Sequence, residues 1–173
     1  MILSPFPPPE AEQPRGFTRA VARRLVYAAL PALLVVGSAF AGERLFIGTV
    51  AEVPAGDLLV VRRGPRSVPV RLAGIDAPEL DQTFGSLAQK HAENLSRGQV
   101  VTVQVLDTDP RGRTVGVVVL PDGRDLGREM VAVGLARWDQ RNAPEAAVLE
   151  DLEKEARAAG RGMWRDPALA SPR

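Results

Sequence analysis

The chain has 173 residues, 22 Lys and Arg against 21 Asp and Glu for a net charge of +1, and no cysteine. This excludes a disulfide framework, a thiol nucleophile and a cysteine-ligated zinc. It also excludes a domain that grips polyanions through net charge, so any polyanion must be held by local charge placement. In chain order, Arg19, Arg23 and Arg24 come first and precede an apolar run from Leu25 to Val36, followed by Gly37-Ser38-Ala39-Phe40-Ala41. A basic region, a short hydrophobic stretch and small residues at Ala39 and Ala41 predict an N-terminal extension and export signal over residues 1–41, cleaved after Ala41. The expected location is periplasmic or extracellular, with no stable membrane association after cleavage. The apolar run falls short of the ~20 residues of a membrane span, which leaves an uncleaved anchor as the alternative. Losing the four arginines and two glutamates of this segment takes the net charge from +1 to −1.

Three short β-branched segments follow, Leu45 to Val53, Leu58 to Arg63 and Val68 to Leu72, separated by Pro54-Ala55-Gly56-Asp57 and Gly64-Pro65-Arg66-Ser67. They read as meandering strands. A helix is predicted from about Ser86 to Ser96, with Leu87, His91 and Leu95 on one face and Gly98 as its stop. His91, the only histidine, reads as a packing or surface residue. Strands Val100 to Leu106 and Thr114 to Leu120 come next. Between them Asp109-Pro110-Arg111-Gly112 fits a type I turn that delivers Arg113 to the following strand. Helices are predicted around Leu126 to Val133 and from Glu145 to Ala159, the second with an apolar stripe of Val148, Leu152, Ala156 and Ala159. Trp138 and Trp164 read as anchors of these helices. Five strands with a helix between the third and fourth give a mainly β protein with α, an α+β class five-stranded OB-fold Greek-key barrel with about three helices. The barrel domain is expected over residues 42–165 and a short tail over 166–173.

The stretch Val70-Arg71-Leu72-Ala73-Gly74-Ile75-Asp76-Ala77-Pro78-Glu79 concentrates chemistry. Val68, Val70 and Leu72 alternate as a buried face and leave Arg71 on the other. Pro78 pushes Ala77 toward an extended backbone, which frees the Ala77 carbonyl to face a cation. Asp76 and Glu79 flank it. Taken singly, Asp57 reads as a turn residue, Arg113 as a strand end, and Asp76 with Glu79 as a helix-entry pair. Jointly they suit a metal-assisted attack on a phosphodiester, and three carboxylates at one mouth would repel one another without a cation.

These segments resemble the staphylococcal nuclease-like (thermonuclease) family of OB-fold phosphodiesterases. The resemblance runs from about Arg44 to Trp164 through Gly56-Asp57, the Val70 to Glu79 stretch, Phe84-Gly85, Arg111-Gly112-Arg113, Asp122-Gly123, Gly134-Leu135-Ala136 and Gly162-Met163-Trp164. It implies Ca²⁺ held by the carboxylates of Asp57 and Asp76 and the backbone carbonyl of Ala77. Glu79 falls at the general-base position, and Arg71 and Arg113 at the positions that hold phosphate and stabilise transition-state charge. The implied activity is endonucleolytic hydrolysis of DNA and RNA leaving 3′-phosphates, with single strands preferred, by a monomer. A noncatalytic OB module that binds nucleic acid or protein is the alternative. Two departures stand out. Ala55-Gly56-Asp57-Leu58 lacks a carboxylate and a hydroxyl usual in the family. The family's base-stacking tyrosines would fall near Gln140 and Asn142, so substrate binding is expected to be weak, with Arg111 or Arg137 supplying phosphate contacts.

Overall fold

The computed structural model describes residues 44–170. The expected export signal, its cleavage after Ala41 and the end of the C-terminal tail lie outside them. Strands β1 (Leu45–Ala55), β2 (Leu58–Arg63), β3 (Arg66–Leu72), β5 (Val100–Thr108) and β6 (Thr114–Val119) close a barrel in the order β1-β2-β3-β6-β5. All neighbours are antiparallel except β3 and β6, which run parallel with Arg71 opposite Val115. The five-stranded OB-type barrel expected from the element order is therefore present, together with α1 (Gly85–Ser96), α2 (Leu126–Ala132) and α3 (Ala147–Ala158). A 3₁₀ turn over Gly162–Arg165 and a short helix α4 over Pro167–Ala170 complete the described chain.

The barrel closes because alternate side chains of each strand are apolar and turn inward. Val50, Leu59, Val61, Val70, Leu72, Val101, Val103 and Val118 are all essentially inaccessible, and each such side chain contributes roughly 1.5–3 kcal/mol by leaving water. The inward turn of Val70 and Leu72 sends Arg71 to the opposite side, as the alternation predicts.

The helices pack differently from their sequence stripes. In α1 the buried positions are Gly85, Ala88, Ala92 and Ser96, while Leu87 is 51% exposed. The seat of α1 lies close to the β1–β2 turn: a Cβ on Gly56 would stand 2.8 Å from that of Ala88 and 2.9 Å from that of Ala77. Small residues fit closest to that turn, and of the expected stripe Leu87 faces outward while Leu95 packs, partly buried, against the core. In α3 the core-facing residues are Leu149, Leu152 and Ala156, with Val148 and Ala159 exposed. Trp164 is buried against Ala156 and Met163, and the Trp138 indole N–H donates to the Ala143 carbonyl at 2.8 Å. Both tryptophans anchor the C-terminal helices.

One element has no counterpart in the sequence reading. Strand β4 (Ile75–Asp76) pairs antiparallel with β7 (Arg137–Trp138), Asp76 opposite Arg137. Two residues are too few for a visible alternation, yet this ribbon places the Asp76 segment beside the barrel mouth.

Candidate active site

The β1–β2 turn, the end of β3, the loop after β4 and the turn before β6 meet at one mouth of the barrel. They line an open cleft of about 710 Å³ that includes Asp57, Arg71, Asp76, Glu79, Arg111 and Arg113. Six residues separated by up to 56 positions in sequence thus face one space.

Arg71 stands beside three carboxylates there. Its position follows from the register, since Leu58 pairs with Arg71 across β2 and β3 and the Leu72 N–H donates to the Asp57 carbonyl at 2.8 Å. Asp57 and Arg71 are therefore locked side by side by backbone hydrogen bonds. The guanidinium reaches Asp57 Oδ2 through Nε and Asp76 Oδ1 through Nη2, each at 3.5 Å. Asp57 is only 16% exposed, whereas Asp76 is 66% exposed. Burial pushes the Asp57 carboxyl above its ordinary ionisation range; the positive charge of Arg71 opposes this and the negative charge of Asp76 adds to it. The pair has the electrostatics of an anionic site only partly compensated by one arginine.

Arg113 is held by different means. In the expected turn the Gly112 N–H donates to the Asp109 carbonyl at 2.9 Å. The Asp109 carboxylate also accepts from the backbone N–H groups of Arg111 and Arg113, each at 2.9 Å, and from Arg113 Nε at 2.6 Å. Desolvation alone would raise the Asp109 carboxyl, but these donors from Arg113 and Arg111 outweigh it and hold the group below its ordinary range. Arg113 sits one residue ahead of β6 rather than within it.

Glu79 is exposed at the rim, and its backbone is fixed by contact with the start of α1. A Cβ on Gly85 would come within 1.8 Å of the Glu79 carbonyl oxygen, so only glycine lets the two segments touch. Just before it, Phe84 adopts a left-handed conformation with φ of 70°, a strained geometry for a bulky residue. The Glu79 N–H donates to the side-chain carbonyl of Gln82 at 3.2 Å.

Ala77 is buried and lines, with Pro78 and Arg137, a recess that adjoins the cleft at Asp76, a residue common to both. Arg137 stays out of the central cleft, its guanidinium 5.0 Å over the Trp164 ring, with Arg157 4.2 Å from the same ring. Asp139 was not among the expected residues. Its carboxylate is 14% exposed and stands 4.0 Å from Arg71 Nη2. The only sequence signal is its place just beyond Gly134-Leu135-Ala136 and next to Gln140, near which the family's stacking tyrosines would fall.

The chain matches the family model described as staphylococcal nuclease homologue over residues 69–166. It is 36% identical over 163 residues to the micrococcal nuclease of Shigella flexneri, spanning 88% of this chain and 91% of that protein. An uncharacterized endonuclease of Escherichia coli O157:H7 is 37% identical over 125 residues, which span 72% and 81% of the two chains. Protein ParB of Escherichia coli is 36% identical over 164 residues, 89% of this chain and 90% of that one. With the barrel, these matches show that the chain belongs to the staphylococcal nuclease homologue family.

Proposed function

We propose that the protein is an exported, Ca²⁺-dependent endonuclease that hydrolyses DNA and RNA and leaves 3′-phosphate ends. One observation carries this reading: two carboxylates, a rim glutamate and two arginines, drawn from four separate segments, line the same cleft. Export rests on the signal-like residues before Arg44; no helix among the described residues is long and apolar enough to cross a membrane.

The donor chemistry suits a hard divalent cation. Asp57 and Asp76 offer carboxylate oxygens within reach of one positive group, and the partial burial of Asp57 favours an added positive charge. Among the described residues no three or more His, Cys, Asp or Glu side chains gather as a single cage. Asp57, Asp76 and the Ala77 carbonyl would hold Ca²⁺ with water and substrate oxygens filling the shell. When bound, the cation would neutralise charge on the phosphate.

The chain's own groups supply the rest. Arg113, already oriented by Asp109, forks onto phosphate oxygens, and its permanent charge stabilises the five-coordinate transition state. Arg71 does the same from the barrel side. Glu79 orients or deprotonates the attacking water, an effect worth about 10²–10⁴ in rate. Arg111 lies at the cleft edge to follow the backbone. The missing tyrosines remove stacking worth ~1–3 kcal/mol per base, so we read this enzyme as weakly binding with little base preference.

The test is cleavage of heat-denatured DNA by the full chain with Ca²⁺ or with chelator, followed by phosphatase treatment of the product ends. The expected result is Ca²⁺-dependent cleavage giving 3′-phosphates, reduced about a hundredfold in Arg113→Ala. Absence of cleavage, or cleavage equal in chelator, contradicts the proposal.

A further inference from the structure

We propose that Asp139 is a positioning residue for Arg71, the group that keeps this guanidinium in the cleft while Asp57 and Asp76 are engaged by a cation. The inference rests on the nuclease reading of the cleft. Arg71 is shared among three carboxylates, Asp57 and Asp76 at 3.5 Å and Asp139 at 4.0 Å. A cation that takes the first two removes the anchors on that side. Asp139 is then the remaining anion beside Arg71.

Asp139 is built to stay in place. Its Oδ1 accepts from the N–H groups of Arg141 and Asn142 at 3.2 and 3.3 Å, and its Oδ2 accepts from the Asn142 side-chain amide at 2.6 Å. Its own N–H donates to the Gly74 carbonyl at 2.9 Å, which ties the turn to the loop carrying Asp76. With its side chain mostly shielded, its charge acts on Arg71 with little screening by salt. An arginine without such an anchor would sample solvent, and misplacement of a charge-stabilising group by about 1 Å costs up to 10²-fold in rate.

Asparagine at this position keeps the Oδ1 acceptor for both backbone donors, and the Asn142 amide can turn over to meet the new NH₂. Asp139→Asn in the full chain therefore removes charge and leaves the turn. The expected result is a kcat lower by roughly ten- to a hundredfold, a KM little changed and an unchanged melting temperature. The Asp139→Ala variant loses thermal stability as well. In an Arg71→Ala background, Asp139→Asn lowers kcat no further. A second readout needs no metal and no catalysis: in the chelated protein, Asp139→Asn shifts the NMR signal of the Arg71 Nε–H and leaves that of Arg113 Nε–H, held by Asp109, in place. A wild-type kcat in Asp139→Asn, an equal loss in the Arg71→Ala background, or an unmoved Arg71 signal overturns the proposal. Failure of the parent to cleave DNA overturns the nuclease reading instead, and the NMR arm still reports on Asp139.

Discussion

Asp57 and Asp109 show how one residue type is tuned in opposite directions by its neighbours. Asp57 is raised because burial outweighs Arg71 and Asp76 adds repulsion. Its favourable contribution is therefore full below the ordinary carboxylate range and is lost as pH rises through the raised folded value. Asp109 is lowered by its donors, so its contribution is present above the ordinary range and lost as pH falls through the lowered folded value. In the metal-free protein, Asp57→Asn should raise the melting temperature by a few degrees at neutral pH and give no gain in strong acid. Asp109→Asn should lower it at neutral pH, with the deficit shrinking in strong acid. Thermal melts across pH check both signs. Residue identities were readable because each type carries its chemistry openly: Arg71, Asp76 and Glu79 sit within one stretch, and the Asp57 turn and the Asp109 turn are marked by glycine. What joins them was not readable, because the 3.5 Å approach of Arg71 to Asp76 depends on the β4–β7 ribbon. Asp139 was missed for the same reason, since its relation to Arg71 exists only once Gly74 and Asp139 are hydrogen-bonded.

At the scale of elements, the junction of the Glu79 loop with α1 is a tight join beside the site. Gly85 is buried, and any side chain there collides with the Glu79 backbone. Gly85→Ala should cost on the order of 1–3 kcal/mol by overpacking and should lower kcat more than KM, because the loop shifts together with its glutamate. Denaturant melts and steady-state kinetics on one preparation test this; stability and activity both at wild-type level would contradict it. The strands were legible from their alternation and turn residues, since a half-buried strand repeats every two residues. The helix faces were not, because the packing space decides them. Where α1 meets the β1–β2 turn, Gly56 leaves room for Ala88 and nothing larger, so Leu87 of the expected stripe turns outward while Leu95 keeps its contact with the core. In α3 the observed stripe is offset by one residue at its start, from Val148 to Leu149, a shift that average helical spacing does not resolve.

At the scale of the whole molecule, the chain carries a charged cleft although its net charge is only +1. Binding to nucleic acid should accordingly be weak and local. Single-stranded DNA is expected to bind with a dissociation constant above a micromolar at physiological salt, with a shallow salt dependence reflecting a few phosphate contacts. Fluorescence anisotropy with a catalytically inactive variant measures both, and submicromolar affinity would contradict it. The barrel and the family were open to the sequence because many ordinary signals agree in order and spacing.

The most direct measurement is the Ca²⁺-dependent cleavage rate of Glu79→Gln relative to the unaltered chain on the same denatured DNA. Glutamine keeps the size and the loop but cannot accept the proton of the attacking water. The presence of Glu79 in the same cleft as Arg71 and Arg113 predicts a rate lower by about 10²–10⁴ with an unchanged melting temperature. A Glu79→Gln protein that cuts at the parental rate would contradict the assignment of this cleft as the catalytic site.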